Sequence, residues 1–205
     1  YLWRGNRSTK MSADNFNAFK SNNYPSLAKI GLGIHFNEEA LWRTKSIRPL
    51  KVQYSLDNAV MVLDLIPGIT EQVLRYQLAT PGIKGIVLKS YGAGNAPTAQ
   101  WFTKAVKDAV DNGMIILNVT QCVNGGVHPM MYMSGNQLAS TGVISGHDIT
   151  SEAAITKMMY LFGGNDSAIV LNTTSGVSSV ILAHDNSVYK GSSVHTSEDC
   201  CGVGI

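Results

Sequence analysis

The chain has 205 residues, of which 44% are hydrophobic and 15% charged, with a formal net charge of +2. Its mean hydropathy is +0.03. These figures exclude a chain disordered through charge, and like charges form no long block that would make a general nucleic-acid surface or a polybasic membrane patch. No apolar run approaches the roughly 18 residues of a membrane helix. Cys122 stands alone and Cys200–Cys201 are adjacent, so neither a disulfide scaffold nor a zinc ligand spacing is expected. A reducing, cytoplasmic setting follows by default. No secretory leader opens the chain: Tyr1-Leu2-Trp3-Arg4 enters mid-structure, as a piece of something longer would.

Residues 1–50 are polar, rich in Asn, Lys and Ser, and read as loop with little helix. The pattern then changes. Residues 59–65 form a short, nearly continuous apolar run, as expected of a strand in a parallel sheet covered on both faces. Pro67-Gly68 breaks it, and Thr70 can cap a helix with Val73, Leu74, Gln77 and Leu78 on one side. Pro81-Gly82 ends that helix. A second strand spans 83–89, a Gly-rich turn 90–96, and Pro97 opens a helix striped by Trp101, Phe102, Ala105, Val106, Ala109 and Val110. Asn112-Gly113 stops it before a third strand at 114–119. A short helix around 137–140, a fourth strand at 143–144 and a helix capped by Thr150 and running to Phe162 complete the series. The tail 166–205 is rich in Ser, Gly and Val, with candidate strands at 168–171 and 178–183.

Alternating strands and helices predict an α/β domain with a parallel sheet over 51–165. Ligands of such open sheets bind beyond the carboxyl ends of the strands. That rule selects the loops 90–96 and 120–127. The first, Ser90-Tyr91-Gly92-Ala93-Gly94-Asn95-Ala96-Pro97, sits where a phosphate loop would. It departs from the dinucleotide fingerprint because Pro97 replaces the third glycine, and it lacks a G-K-[ST] ending, so nucleotide binding is the weakest reading. It remains either a tight turn with glycines at positive φ or a small polar pocket offering the Asn95 amide. In the second loop, Thr120, Gln121 and Cys122 can hydrogen-bond a polar ligand or satisfy one another. A catalytic Cys122 would need an activating cation or His, and the sequence supplies only His128 nearby. Lys10, in the cationic run 4–10, is either a solvated surface lysine or a proton-relay amine. The five His form no metal pattern, and Met130, Met131 and Met133 read as packing.

Four blocks, in this order, resemble segments of the bacterial type I, cytoplasmic L-asparaginases. They are 4–19, beginning Arg4-Gly-Asn-Arg-Ser-Thr-Lys10; 90–97; Asn118-Val-Thr-Gln-Cys122; and Gly146-His-Asp-Ile-Thr-Ser-Glu-Ala153 with Thr156-Lys157. Together they span roughly residues 1–162. The resemblance implies an asparaginase-like two-domain fold, represented here by a remnant of the N-terminal domain and linker (1–50) and the C-terminal α/β domain (51–165). The tail 166–205 is unlike the family.

The implied reaction converts L-asparagine to L-aspartate and ammonia. A Thr nucleophile would act with a Thr–Lys–Asp relay, without a cofactor or metal, because an unactivated hydroxyl attacks poorly and the tetrahedral intermediate is anionic. Carried over by position, Lys10 matches the relay lysine and Asn95 a residue reaching a neighbouring subunit's site. Thr9, Lys89, Thr120, Gln121 and Cys122 match an activating asparagine site. Lys89 stands where the family has Arg, and Lys cannot make the same two-pronged bond to a carboxylate. The family's Thr-Gly-Gly-Thr and Gly-Thr-Asp-Thr segments are absent, so Lys10 lacks its relay partners. A truncated, spliced or frame-altered product would account for this and for the tail. The sequence therefore predicts an asparaginase portion inactive by itself. The alternative is a non-catalytic module that binds asparagine or assembles into homo-oligomers, full-length relatives being dimers of dimers. Neither a nucleic-acid nor a membrane partner is expected.

Overall fold

The structure, a computed structural model, describes residues 1–43, 52–128, 133–164, 171–172 and 179–180. The N-terminal segment contains a 3-10 turn at Gly5–Arg7 and two small antiparallel hairpins. One pairs β1 (Thr9–Lys10) with β2 (Phe19–Lys20), and the other pairs β3 (Ala28–Ile30) with β4 (Ile34–Phe36). This differs from the loop expected over 1–50. The signal was the alternation in Ile30-Gly-Leu-Gly-Ile34-His-Phe36, which puts Ile30, Ile34 and Phe36 on one side and Lys29 and His35 on the other. The apolar side is uncovered: Ile30, Leu32, Ile34 and Phe36 are all exposed.

Four parallel strands form the main sheet in the order β5 (Val60–Asp64), β6 (Gly85–Ser90), β7 (Ile115–Thr120), β8 (Ile144–Ser145). Each expected strand is present to within two residues at its ends. The pleat divides their side chains between two cores. Leu63, Ile86, Leu88 and Ile116 meet α1 (Glu71–Leu78), α2 (Gln100–Asp111) and Leu138 of α3 (Met133–Ala139). Val87, Leu117 and Val119 meet Ala153, Ala154 and Met158 of α4 (Ser151–Gly163) on the opposite face. The near-continuous apolar strands follow from this double coverage. β5 is the exception. It is an edge strand, and its Val62 stays exposed on the side where α4 only partly reaches.

The helix caps form as their residues require. Thr70 accepts the amide N–H of Val73 at 3.4 Å, and Thr150 accepts that of Ala153 at 3.2 Å. Pro97 does not begin α2, which starts three residues later at Gln100 with Ala99 as an unassisted cap. The predicted helix around 137–140 is longer, and the predicted strand at 143–144 lies one residue later. In the tail, Leu171–Asn172 and Ser179–Val180 pair antiparallel. The rest of the two expected tail strands, the methionines at 130 and 131, and the Cys200–Cys201 pair lie outside the described residues.

Candidate binding and catalytic site

The carboxyl ends of β5, β6 and β7 are laced together by one side chain. Gln121 donates from Nε2 to the carbonyls of Leu65 at 2.6 Å and Lys89 at 3.0 Å, and its own N–H bonds the Ser90 carbonyl at 3.0 Å. The Leu65 N–H also reaches the Lys89 carbonyl at 3.0 Å. Beside this knot, Thr120 donates from Oγ1 to the Gly92 carbonyl at 2.5 Å and accepts the Cys122 N–H at 3.0 Å. Thr120 is therefore largely committed to shaping the loop. Cys122 is exposed.

The turn 90–96 closes through reciprocal main-chain bonds between Tyr91 and Asn95, at 2.8 and 2.9 Å. The expected positive-φ glycines are Gly92 and Gly94. At Gly94 a side chain is excluded twice, because φ is 107° and an added Cβ would lie 2.7 Å from Val127 Cγ1. Asn95 is half-buried in this turn. Under it, Asn118 is 5% exposed and its Oδ1 has no hydrogen-bond partner.

Lys89 and Asp64 are cross-strand partners on the pleat face that α4 covers. Lys89 Nζ donates to Asp64 Oδ2 at 3.2 Å, with the side chains 27% and 50% exposed. The registers Lys89↔Val119 and Ser90↔Thr120 place Lys89 and Thr120 on opposite pleat faces.

The N-terminal segment meets the same end of the sheet through polar contacts. Arg7, only 7% exposed, grips both carboxylate oxygens of Asp148 and the Asn23 carbonyl, and stacks over the Tyr24 ring at 5.6 Å. Asn23 forms a two-way amide pair with Gly125, at 2.7 and 2.9 Å. Thr9 donates to Glu152 in the first turn of α4, where a carboxylate is favoured by the helix dipole. Neither sheet core includes a residue of 1–43. Lys10, beside Thr9, is exposed, with its amine 4.8 Å from the centroid of the Phe19 ring.

Thus Lys89, Gln121 and Cys122 gather at the strand ends, Thr120 turns toward the other face, and Thr9 engages α4. Lys10 and Asn95 lie on separate loops. Arg7, Asn23 and Asp148 were missed as a group. The basic run 4–10 reads as solvated, and only the placement of Asp148 before α4 reveals that one arginine has a buried acidic partner. Nearby, His147 adopts φ 50°, and burial lowers its pKa, opposed by the Asp148 carboxylate and reinforced by His128. A separate open groove of about 570 Å³ lies between α1 and α2, at the amino ends of β6 and β7, bordered by Arg75, Lys84, Asp108 and Met114.

This arrangement has close relatives. A family profile described as the glutaminase/asparaginase C-terminal domain matches residues 59–171. L-asparaginase 1 of Escherichia coli (strain K12) is 39% identical over 169 residues, covering 78% of this chain and 47% of that protein. The 60 kDa lysophospholipase of Mus musculus is 40% identical over 162 residues, covering 79% of this chain and 28% of that protein. The crystal structure of L-asparaginase I from Vibrio cholerae O1 biovar eltor str. N16961 superposes with a TM-score of 0.73 at 38% identity, covering 80% of this chain and 49% of that one. The chain therefore spans about half or less of the length of these relatives. With the profile, the identities and the parallel-sheet architecture in agreement, the chain belongs to the glutaminase/asparaginase C-terminal domain family.

Proposed function

We propose that this chain carries part of an asparaginase apparatus. In this reading the parent reaction is hydrolysis of the L-asparagine side-chain amide to aspartate and ammonia. Lys10 is the proton carrier of a Thr–Lys–Asp relay, and Asn95 is a substrate contact at a subunit boundary. The observation that carries the reading is the kinship with L-asparaginases across nearly four-fifths of the chain. The surroundings of Lys10 add to it: among the described residues its amine faces an aromatic ring, with no Thr hydroxyl or carboxylate paired to it. A relay lysine without a hydroxyl to deprotonate has no nucleophile to activate. The chain alone is accordingly inactive, works in the cytoplasm, and assembles with further copies of itself. Residues 1–50 belong with the N-terminal domain and linker, 51–165 are the C-terminal α/β domain, and 166–205 are an addition to it.

Ammonia release from asparagine tests this. The 205-residue chain should give none above background. Turnover lost on Lys10→Ala would mean the chain contains a complete site.

A second reading, a module that binds asparagine without hydrolysing it, is supported by the polar groups gathered where β5, β6 and β7 end. The residues concerned are Lys89, Thr120, Gln121 and Cys122, with Thr9 from the first hairpin. Calorimetry with asparagine decides it: heat at millimolar ligand, changed by Lys89→Arg, supports the module, and no heat with either protein refutes it.

A further inference from the structure

Asp64 lies outside every block that resembles the asparaginases, yet it is the acidic group nearest to Lys89. The parallel register sets the two directly across from each other at the last residues of β5 and β6. Gln121 holds the following main chain of both strands through the Leu65 and Lys89 carbonyls, so the spacing of the two charges is fixed by the sheet. Neither charge is saturated by the contact. The ammonium of Lys89 has three N–H donors and uses one on Asp64 Oδ2, while the carboxylate has further lone pairs at a half-exposed position. An exposed pair of this kind adds little stability. What it does provide is two opposite charges side by side where an open parallel sheet receives ligands.

We infer that Asp64 and Lys89 together form a recognition site for a zwitterionic α-amino acid, Asp64 accepting from the α-ammonium while Lys89 donates to the α-carboxylate. This inference rests on the reading of these strand ends as an amino-acid site, and it makes Asp64 the residue that selects for the amino group. Lysine is adequate in this role. A two-pronged guanidinium is needed where a carboxylate is held alone, whereas a zwitterion is held from both ends. Asp64 would repel a ligand with a carboxylate and no ammonium, so the pair selects by charge pattern as well as by attraction.

The experiment is calorimetry on the whole chain with two probes, L-asparagine and succinamate, which is the same molecule without the α-amino group. The wild type should hold asparagine about tenfold more tightly than succinamate, the scale of one charge-assisted hydrogen bond at a half-exposed site. Asp64→Asn should bring the two within about twofold by weakening asparagine, and Lys89→Met should weaken both. Both substitutions are at exposed or half-exposed positions, so unchanged thermal melts confirm that the fold survives. Equal affinity of the wild type for the two probes overturns the inference. So does a preference that persists in Asp64→Asn, or tighter asparagine binding in that variant. Each of those results leaves the strand ends as a binding site. No heat from either probe overturns the site and the inference together.

Discussion

The contact between Arg7 and Asp148 ties the segment carrying Lys10 to the sheet, and its two partners should respond unequally to substitution. Arg7 is 7% exposed and Asp148 36%. In Asp148→Asn the guanidinium keeps its charge in a buried place, with its Nε already lacking a partner. Breaking a fully buried pair by removing one side costs roughly 3–5 kcal/mol; discounting for the water that reaches Asp148 gives about 2–3 kcal/mol. In Arg7→Met the remaining carboxylate can rehydrate, and the methionine can keep some contact with Tyr24, so the loss should be about 1 kcal/mol. Urea melts of the wild type and both variants measure these losses. Timed proteolysis reads the release of residues 1–43, which should precede unfolding of the sheet, since neither sheet core contains them. Equal losses, or a larger loss for Arg7→Met, would refute the claim that the buried charge governs this contact.

Other consequences follow from the same contacts. The folded state holds His147 below the ordinary imidazole value of 6.5, chiefly through burial. The unfolded chain therefore binds more protons, so this contribution is complete above about pH 6.5 and is lost as pH falls through the folded value. The melting temperature should drop between pH 7.5 and 5.5, and His147→Asn, which tolerates the positive φ, should flatten the drop; an unchanged slope would contradict this. Gly94→Ala meets both a φ of 107° and the Val127 side chain, so it should destabilise by about 2–4 kcal/mol in urea melts. The uncovered Ile30, Ile34 and Phe36 should drive association. Light scattering should show oligomers or aggregates that recede in an Ile34→Thr, Phe36→Thr double variant, and a clean wild-type monomer would count against it.

Much of the sheet could be read directly from the chain because its strands are covered on both faces. Continuous apolar runs such as Ile86–Leu88 and Ile116–Leu117 have few other uses, and the intervening Pro-Gly and Asn-Gly pairs mark the ends of helices. The hairpin at 28–36 was less visible. Two glycines dilute its alternation, and its apolar side covers no core within the described residues. Site residues were legible only as local loops. That Thr120 and Lys89 point to opposite faces follows from register, which depends on strand pairing rather than on sequence spacing. The Arg7–Asp148 contact joins residues 141 positions apart, and no local pattern announces such a pairing.

The central claim is that Lys10 is a proton carrier without a nucleophile in this chain. Coupled ammonia detection with L-asparagine at millimolar concentration tests it most directly. The account predicts release indistinguishable from the no-protein control, unchanged by Lys10→Ala. Sustained release by the unmodified chain that disappears in Lys10→Ala would contradict it.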